Sequence, residues 1–151
     1  PALLSDTFAI DPERQSVTGH SMGGHGALTL AMRHPGRFRS VSAFAPIANP
    51  TASDWGRKQF GAYLGADEAT RAAHDATLLM RQGGFDGPML IDQGTEDQFF
   101  DLLRPQALAE AMAARRQDGV LRMQKGYDHS YFFISTFMED HVTFHAEALY
   151  A

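Results

Sequence analysis

No cysteine occurs among the 151 residues. Disulfides, thiolate metal sites and a cysteine nucleophile are therefore excluded within this stretch, and a reducing compartment, the cytoplasm, is the expected setting. No run approaches the roughly 20 apolar residues that a bilayer-crossing helix needs, and no signal peptide opens the chain, so no membrane partner is expected. Basic residues are the minority, 13 against 18 acidic ones, for a net charge of −5. No patch of Lys and Arg interleaved with aromatics stands out, which argues against a nucleic-acid partner. Low-complexity tracts, internal repeats and interdomain linkers are absent as well. What remains is ordinary for a soluble globular chain, 44% apolar and 21% charged. Its length suits one domain that buries roughly 70% of the surface an unfolded chain exposes.

The chain alternates two kinds of segment. Leu3, Leu4 and Phe8 read as the end of a helix whose beginning is absent, so the sequence is expected to be part of a longer chain. Gln15–Thr18 has strand character and stops at Gly19. A helical pattern follows Ser21 and ends at His34-Pro35-Gly36. Phe38–Pro46 and Gly87–Gly94 read as buried strands, and Val120–Gly126, alternating apolar and polar, as a more peripheral one. Residues 49–67 are loop-like, with a short helix expected around Lys58–Leu64. One or two helices are predicted over 68–82. Another should begin near Pro105 and stop at Gly119, and a closing helix should span roughly Tyr131–Leu149. Strand and helix in alternation predict an α/β fold, a mostly parallel sheet with helices on both faces.

At the first strand–helix junction, Gly19-His20-Ser21-Met22-Gly23 satisfies G-x-S-x-G. The pentapeptide alone is a weak signal. Its position, where a strand ends and an apolar helix begins, is what a nucleophile elbow requires. On that reading Ser21 sits on a sharp turn that lifts its hydroxyl clear of the sheet. Gly19 and Gly23 are then needed because a Cβ at either place would clash. Gly24 and Gly26 would let the helix lie close to the sheet. The Met22 N–H, at the helix N-terminus, becomes an oxyanion donor. The bland alternative is a tight turn with a serine helix cap.

A serine hydroxyl needs a base, and the base needs an orienting acid. In the α/β-hydrolase arrangement both come from loops after later strands, in the order Ser, Asp or Glu, His. The loop after Gly94 offers Glu96, Asp97 and Asp101; the loop after Gly126 offers Asp128 and His129. Of seven histidines, only His129 follows a strand at the correct end. His20 and His25 lie in the elbow itself, His34 caps a helix end, and His74 falls on an amphipathic helix. His141 and His145, four apart, could be half a metal site but are expected on a solvated face, so no metal is assigned. Asp97 is the preferred acid and Asp92, inside the strand, the second choice. The candidate triad is Ser21, Asp97 and His129. His20 is assigned to substrate binding, as is Trp55, which either lines the acyl or thiol pocket or packs on the loop rim.

The segments "GHSMGGHGALTLAMRHPGRFRSVSAFAPIANP", "IDQGTEDQF" and "LRMQKGYDHSYFFISTFMEDHVTFHAEAL" closely resemble the S-formylglutathione hydrolases, the esterase D type of α/β-hydrolase. The resemblance runs along nearly the whole chain, and it places the triad on the same three residues. It implies hydrolysis of the thioester S-formylglutathione to glutathione and formate, a step of formaldehyde detoxification, with side activity on small carboxylic esters and no cofactor. Family members continue upstream of Pro1. That part would supply the first strands and a second oxyanion donor, making residues 1–151 the C-terminal part of one domain. A sheet without those strands exposes an apolar edge that invites pairing with a second copy, a homodimer. An acyltransferase or general carboxylesterase on the same triad is the nearest rival, and an inactive fragment the rival of a different class.

Overall fold

The structure, a computed structural model, describes residues 2–151. Four strands lie side by side in chain order, every neighbouring pair parallel: β1 (Ser16–His20), β2 (Ser40–Phe44), β3 (Met89–Gly94) and β4 (Gly119–Gln124). The helices are α1 (Ala2–Thr7), α2 (Met22–Arg33), α3 (Asp54–Leu64), α4 (Glu68–Ala72), α5 (Ala76–Gln82), α6 (Phe100–Leu103), α7 (Pro105–Arg115) and α8 (Tyr131–Tyr150). No described helix is long and apolar enough to cross a membrane.

The period-two alternation of the strands sorts the two faces. Val41, Ala43, Met89 and Ile91 point to one side, where they pack with Leu28 of α2, Met80 of α5 and Leu108 of α7. Parallel strands in simple order, joined by right-handed crossovers, put α2, α5 and α7 on that one face. Each fully buried Leu, Ile or Met there contributes about 1.5–3 kcal/mol, so this layer is the main hydrophobic source of stability. The other side presents Ser40, Ser42, Phe44 and Asp92 to α8. Helices on both faces are therefore found, and on the α8 side the polar residues adjoin a second, smaller apolar cluster of Phe44, Ala45, Leu103 and Phe133.

The polar face overturns the expectation that His141 and His145 are solvated. His141 is 1% exposed. Its ring stacks on Phe44 at 3.8 Å, with Nδ1 2.8 Å from Ser42 Oγ and Nε2 3.0 Å from Asp92 Oδ2. His145 lies 2.7 Å from Ser40 Oγ and 2.8 Å from Ser42 Oγ. The physical reason is Asp92: a carboxylate inside a buried strand must be met by donors, and α8 supplies one across the sheet.

Element boundaries differ in three instructive places. β1 runs through Gly19 to His20, because the ladder with β2 continues to the His20–Phe44 pair. α3 starts at Asp54 rather than near Lys58, with Ser53 capping it by accepting the Gly56 N–H at 3.1 Å. Gly119 opens β4 instead of stopping α7, which ends on Arg116 in the left-handed conformation, φ 53°. His74 falls in the turn between α4 and α5 rather than on a helix.

Candidate active site

Ser21 joins β1 to α2 at φ 56°, ψ −116°, a backbone region costly for a residue with a Cβ, on the order of 1–3 kcal/mol. Neighbouring backbone holds it there. Its N–H donates to the Phe44 carbonyl at 2.9 Å, and its carbonyl accepts from the His25 and Ile47 N–H groups at 3.0 and 3.3 Å. The bend presses the first turn of α2 onto the end of β1. A Cβ on Gly19 would lie 2.2 Å from the Gly23 carbonyl oxygen, and one on Gly24 would lie 3.1 Å from Pro46 Cβ. Gly23 and Gly26, also expected to be sterically required, face open space, with no atom within 4 Å of an added Cβ. Only Gly19 and Gly24 are demanded by contact. Met22 opens α2, whose first-turn N–H groups have no carbonyl within the helix to bond.

The loops after β3 and β4 are knitted together by backbone. Gly94 lets them meet, since a Cβ there would lie 2.2 Å from the Tyr127 carbonyl oxygen. The Glu96 N–H donates to that carbonyl at 2.9 Å, and the Gly126 N–H donates to Thr95 Oγ1 at 2.9 Å. This brings two distant residues into contact: His129 Nδ1 lies 2.7 Å from Asp97 Oδ2. Asp97 is buried and also accepts from Gln93 Nε2 at 2.9 Å and the Phe99 N–H at 2.8 Å. Burial alone would raise its carboxyl; hydrogen bonds from His129, Phe99 and Gln93 outweigh that and hold it below the usual carboxylate value. An ionised Asp97 accepts the Nδ1 proton, which leaves Nε2 as the nitrogen free to act as base.

The His129 ring is held in a slot. The His20 ring lies 4.4 Å away, tilted by 43°, and Phe99 meets it edge-on at 5.2 Å. Because His20 immediately precedes Ser21, this contact sets the imidazole beside the elbow. Ser21 Oγ and His129 are not hydrogen-bonded; catalytic hydrogen bonds of free enzymes commonly shorten only around substrate. Burial, with the nearby His129, keeps the His20 pKa below the ordinary histidine value, and its buried Nε2 has no partner among the described residues. The other acids stand apart. Glu96, Asp101 and Asp128 are exposed, and Asp92 is engaged by Arg122, Gln124 and His141 on the far face.

Beside the elbow opens a cleft of about 200 Å³, walled by Met22, Ile47, Trp55 and Phe60. Trp55 is thus a wall of a cavity next to Met22, and its ring also lies 5.8 Å from Phe99. His20 does not line this cleft. Among the described residues, no group of three or more His, Cys, Asp or Glu is arranged to hold a metal ion. Sequence reasoning passed over Gln93 and Phe99. Neither carries a local sequence signal; Gln93 is fully buried near the end of β3 and meets Asp97 only through the fold.

Comparison with known proteins adds the context. The Esterase family model matches residues 1–144. The S-formylglutathione hydrolase of Paracoccus denitrificans (strain Pd 1222) is 64% identical over 149 residues, which are 99% of this chain and 53% of that protein. The S-formylglutathione hydrolase of Bos taurus is 49% identical over 156 residues, 100% of this chain and 55% of its own. A solved structure, an S-formylglutathione hydrolase from Agrobacterium tumefaciens, superposes with a TM-score of 0.93 at 49% identity, covering 98% of this chain and 54% of that one. The chain spans about half the length of the curated relatives it matches.

Proposed function

The chain belongs to the esterase family and has the α/β-hydrolase fold, and from that premise we propose that it carries the catalytic residues of a serine hydrolase acting on S-formylglutathione. The observation that carries the reading is the Asp97–His129 pair at 2.7 Å, with the His129 ring packed on the residue that precedes the strained Ser21. The names of the similar proteins support the substrate.

In the proposed reaction His129 Nε2 takes the Ser21 proton as Oγ attacks the acyl carbonyl. The oxyanion forms against the Met22 N–H at the start of α2. Asp97 fixes the His129 tautomer and stabilises the imidazolium. The carbon–sulfur bond then breaks. The thiol leaves with the proton returned by His129, or as a thiolate, which needs little help from an acid, His129 then giving its proton to solvent. Water, deprotonated by His129, attacks the acyl-enzyme and releases formate and free Ser21. Trp55 and His20 belong to the substrate-binding surface on this reading, the same chemistry extends to small carboxylic esters, and the setting is cytoplasmic.

The test is product stoichiometry. Incubation with S-formylglutathione should release thiol and formate one to one, and Ser21→Ala or His129→Ala should reduce turnover by several orders of magnitude with far-UV circular dichroism unchanged. A folded parent protein that turns over neither this thioester nor p-nitrophenyl acetate would refute the proposal.

A further inference from the structure

His25 lies one turn beyond Met22 on α2 and lines the same cleft. Its Nε2 is 2.7 Å from the His74 carbonyl oxygen. A carbonyl can only accept, so Nε2 carries the proton. Burial holds the ring's pKa below the ordinary histidine value, and the neutral ring then bears a bare lone pair on Nδ1. Among the described residues no hydrogen bond reaches that atom, Nε2 being the ring's bonded nitrogen. The carbonyl that sets the tautomer is itself anchored. Asp75, the next residue, is fully buried and accepts from Asn49, Thr51 and the Leu78 N–H.

We propose that His25 is a specificity-determining residue whose Nδ1 accepts a hydrogen bond from an N–H or O–H donor on the substrate group seated in the cleft. The substrate class is a thioester or ester with an amide or hydroxyl donor a few bonds from the scissile carbonyl. This rests on the hydrolase reading above. Apolar walls such as Trp55 and Phe60 discriminate weakly between groups of similar size. A fixed acceptor among them penalises any occupant that lacks the donor, because Nδ1 then loses water without gaining a bond.

Two substrate pairs, each differing by NH against CH₂, test it. On the thiol side they are the acetyl thioesters of N-acetylcysteamine and of 5-mercapto-2-pentanone. On the acyl side they are the p-nitrophenyl esters of N-acetylglycine and of 4-oxopentanoic acid. The donor-bearing member of one pair should be favoured about 5–10-fold in kcat/KM, and the pair that responds identifies which side of the substrate enters the cleft. His25→Gln keeps an N–H toward the His74 carbonyl but has no acceptor in place of Nδ1, so the ratio should fall to about 1. His25→Asn, whose oxygen lies near the Nδ1 position, should restore part of it. Ratios near 1 in both pairs, or a ratio that survives His25→Gln, overturn the proposal. Binding without turnover separates the two ideas: the ¹⁵N resonance of His25 Nδ1 should move with N-acetylcysteamine or N-acetylglycine and not with the matching ketones. An unmoved resonance in an active enzyme removes His25 alone. A moving one in a protein that hydrolyses nothing keeps His25 and removes hydrolysis.

Discussion

Replacing Asp92 by asparagine should cost stability and spare chemistry, whereas the same change at Asp97 should cost chemistry. Asp92 is fully buried and accepts Arg122 Nε at 2.7 Å and Nη2 at 2.5 Å, Gln124 Nε2 at 2.8 Å and His141 Nε2 at 3.0 Å. Burial alone would raise its carboxyl, but the bonds from His141, Arg122 and Gln124 pull the pKa from 3.8 down to about 2. At 1.36 kcal/mol per pH unit, the ionised form favours the fold by about 2–3 kcal/mol. An amide there also turns its NH₂ against donors, which leaves one unpaired at about 1–3 kcal/mol. Arg122 is 31% exposed and can rehydrate, so the total falls nearer to about 3 than 5 kcal/mol. For a chain of this length, about 2–4 °C per kcal/mol makes that a drop in Tm of roughly 6–12 °C at pH 7. Thermal melts followed by circular dichroism from pH 7 to pH 2 carry a second signature. A depressed carboxylate pKa stabilises fully above about pH 4, and that stabilisation is lost as pH falls toward 2, so this acid limb should flatten in the variant. A Tm within 2 °C of the parent, with the acid limb intact, would refute the reasoning.

Asp97→Asn should lower kcat on p-nitrophenyl acetate by up to about 10⁴, the scale for losing the acid that fixes a catalytic histidine, and, since the buried carboxylate is met by three donors, should lower Tm as well; a loss of kcat under tenfold would contradict the assignment. Gly19→Ala forces a Cβ to within 2.2 Å of backbone and should destabilise by more than about 3 kcal/mol. Gly26→Ala, pointing into open space on α2, should instead stabilise by about 0.5–1 kcal/mol, and chemical denaturation compares the two. Burial, with the neighbouring His141, lowers the His145 pKa from 6.5 to about 4. The fold therefore favours neutral His145, its stabilisation is complete above about pH 6.5, and it is lost as pH falls toward 4. His145→Gln should flatten Tm against pH across that window.

Much of the architecture was legible because each element carried its own period and its own stop. The four strands and the closing helix rest on local pattern, and the structure returns them with shifts of a few residues. The errors arose where the deciding contact is distant in the chain. Nothing near Gly23 or Gly26 tells that their outer faces are open, whereas Gly19 meets the turn it is itself part of. His141 and His145 read as solvated because the surface that buries them comes from β2 and β3, about 50 to 105 residues away. The pairing of Asp97 with His129 was inferred from strand ends. Its supports, Gln93 beneath the carboxylate and Phe99 beside the imidazole, emerge only once two loops are laced together through Tyr127 and Thr95.

The account depends on Ser21 being the group that His129 activates. Reaction with a fluorophosphonate followed by peptide mapping tests this directly. One adduct is expected, on Ser21, forming at least a hundredfold more slowly in His129→Ala. An adduct on another serine, or a folded protein in which Ser21 stays unmodified, would contradict the claim.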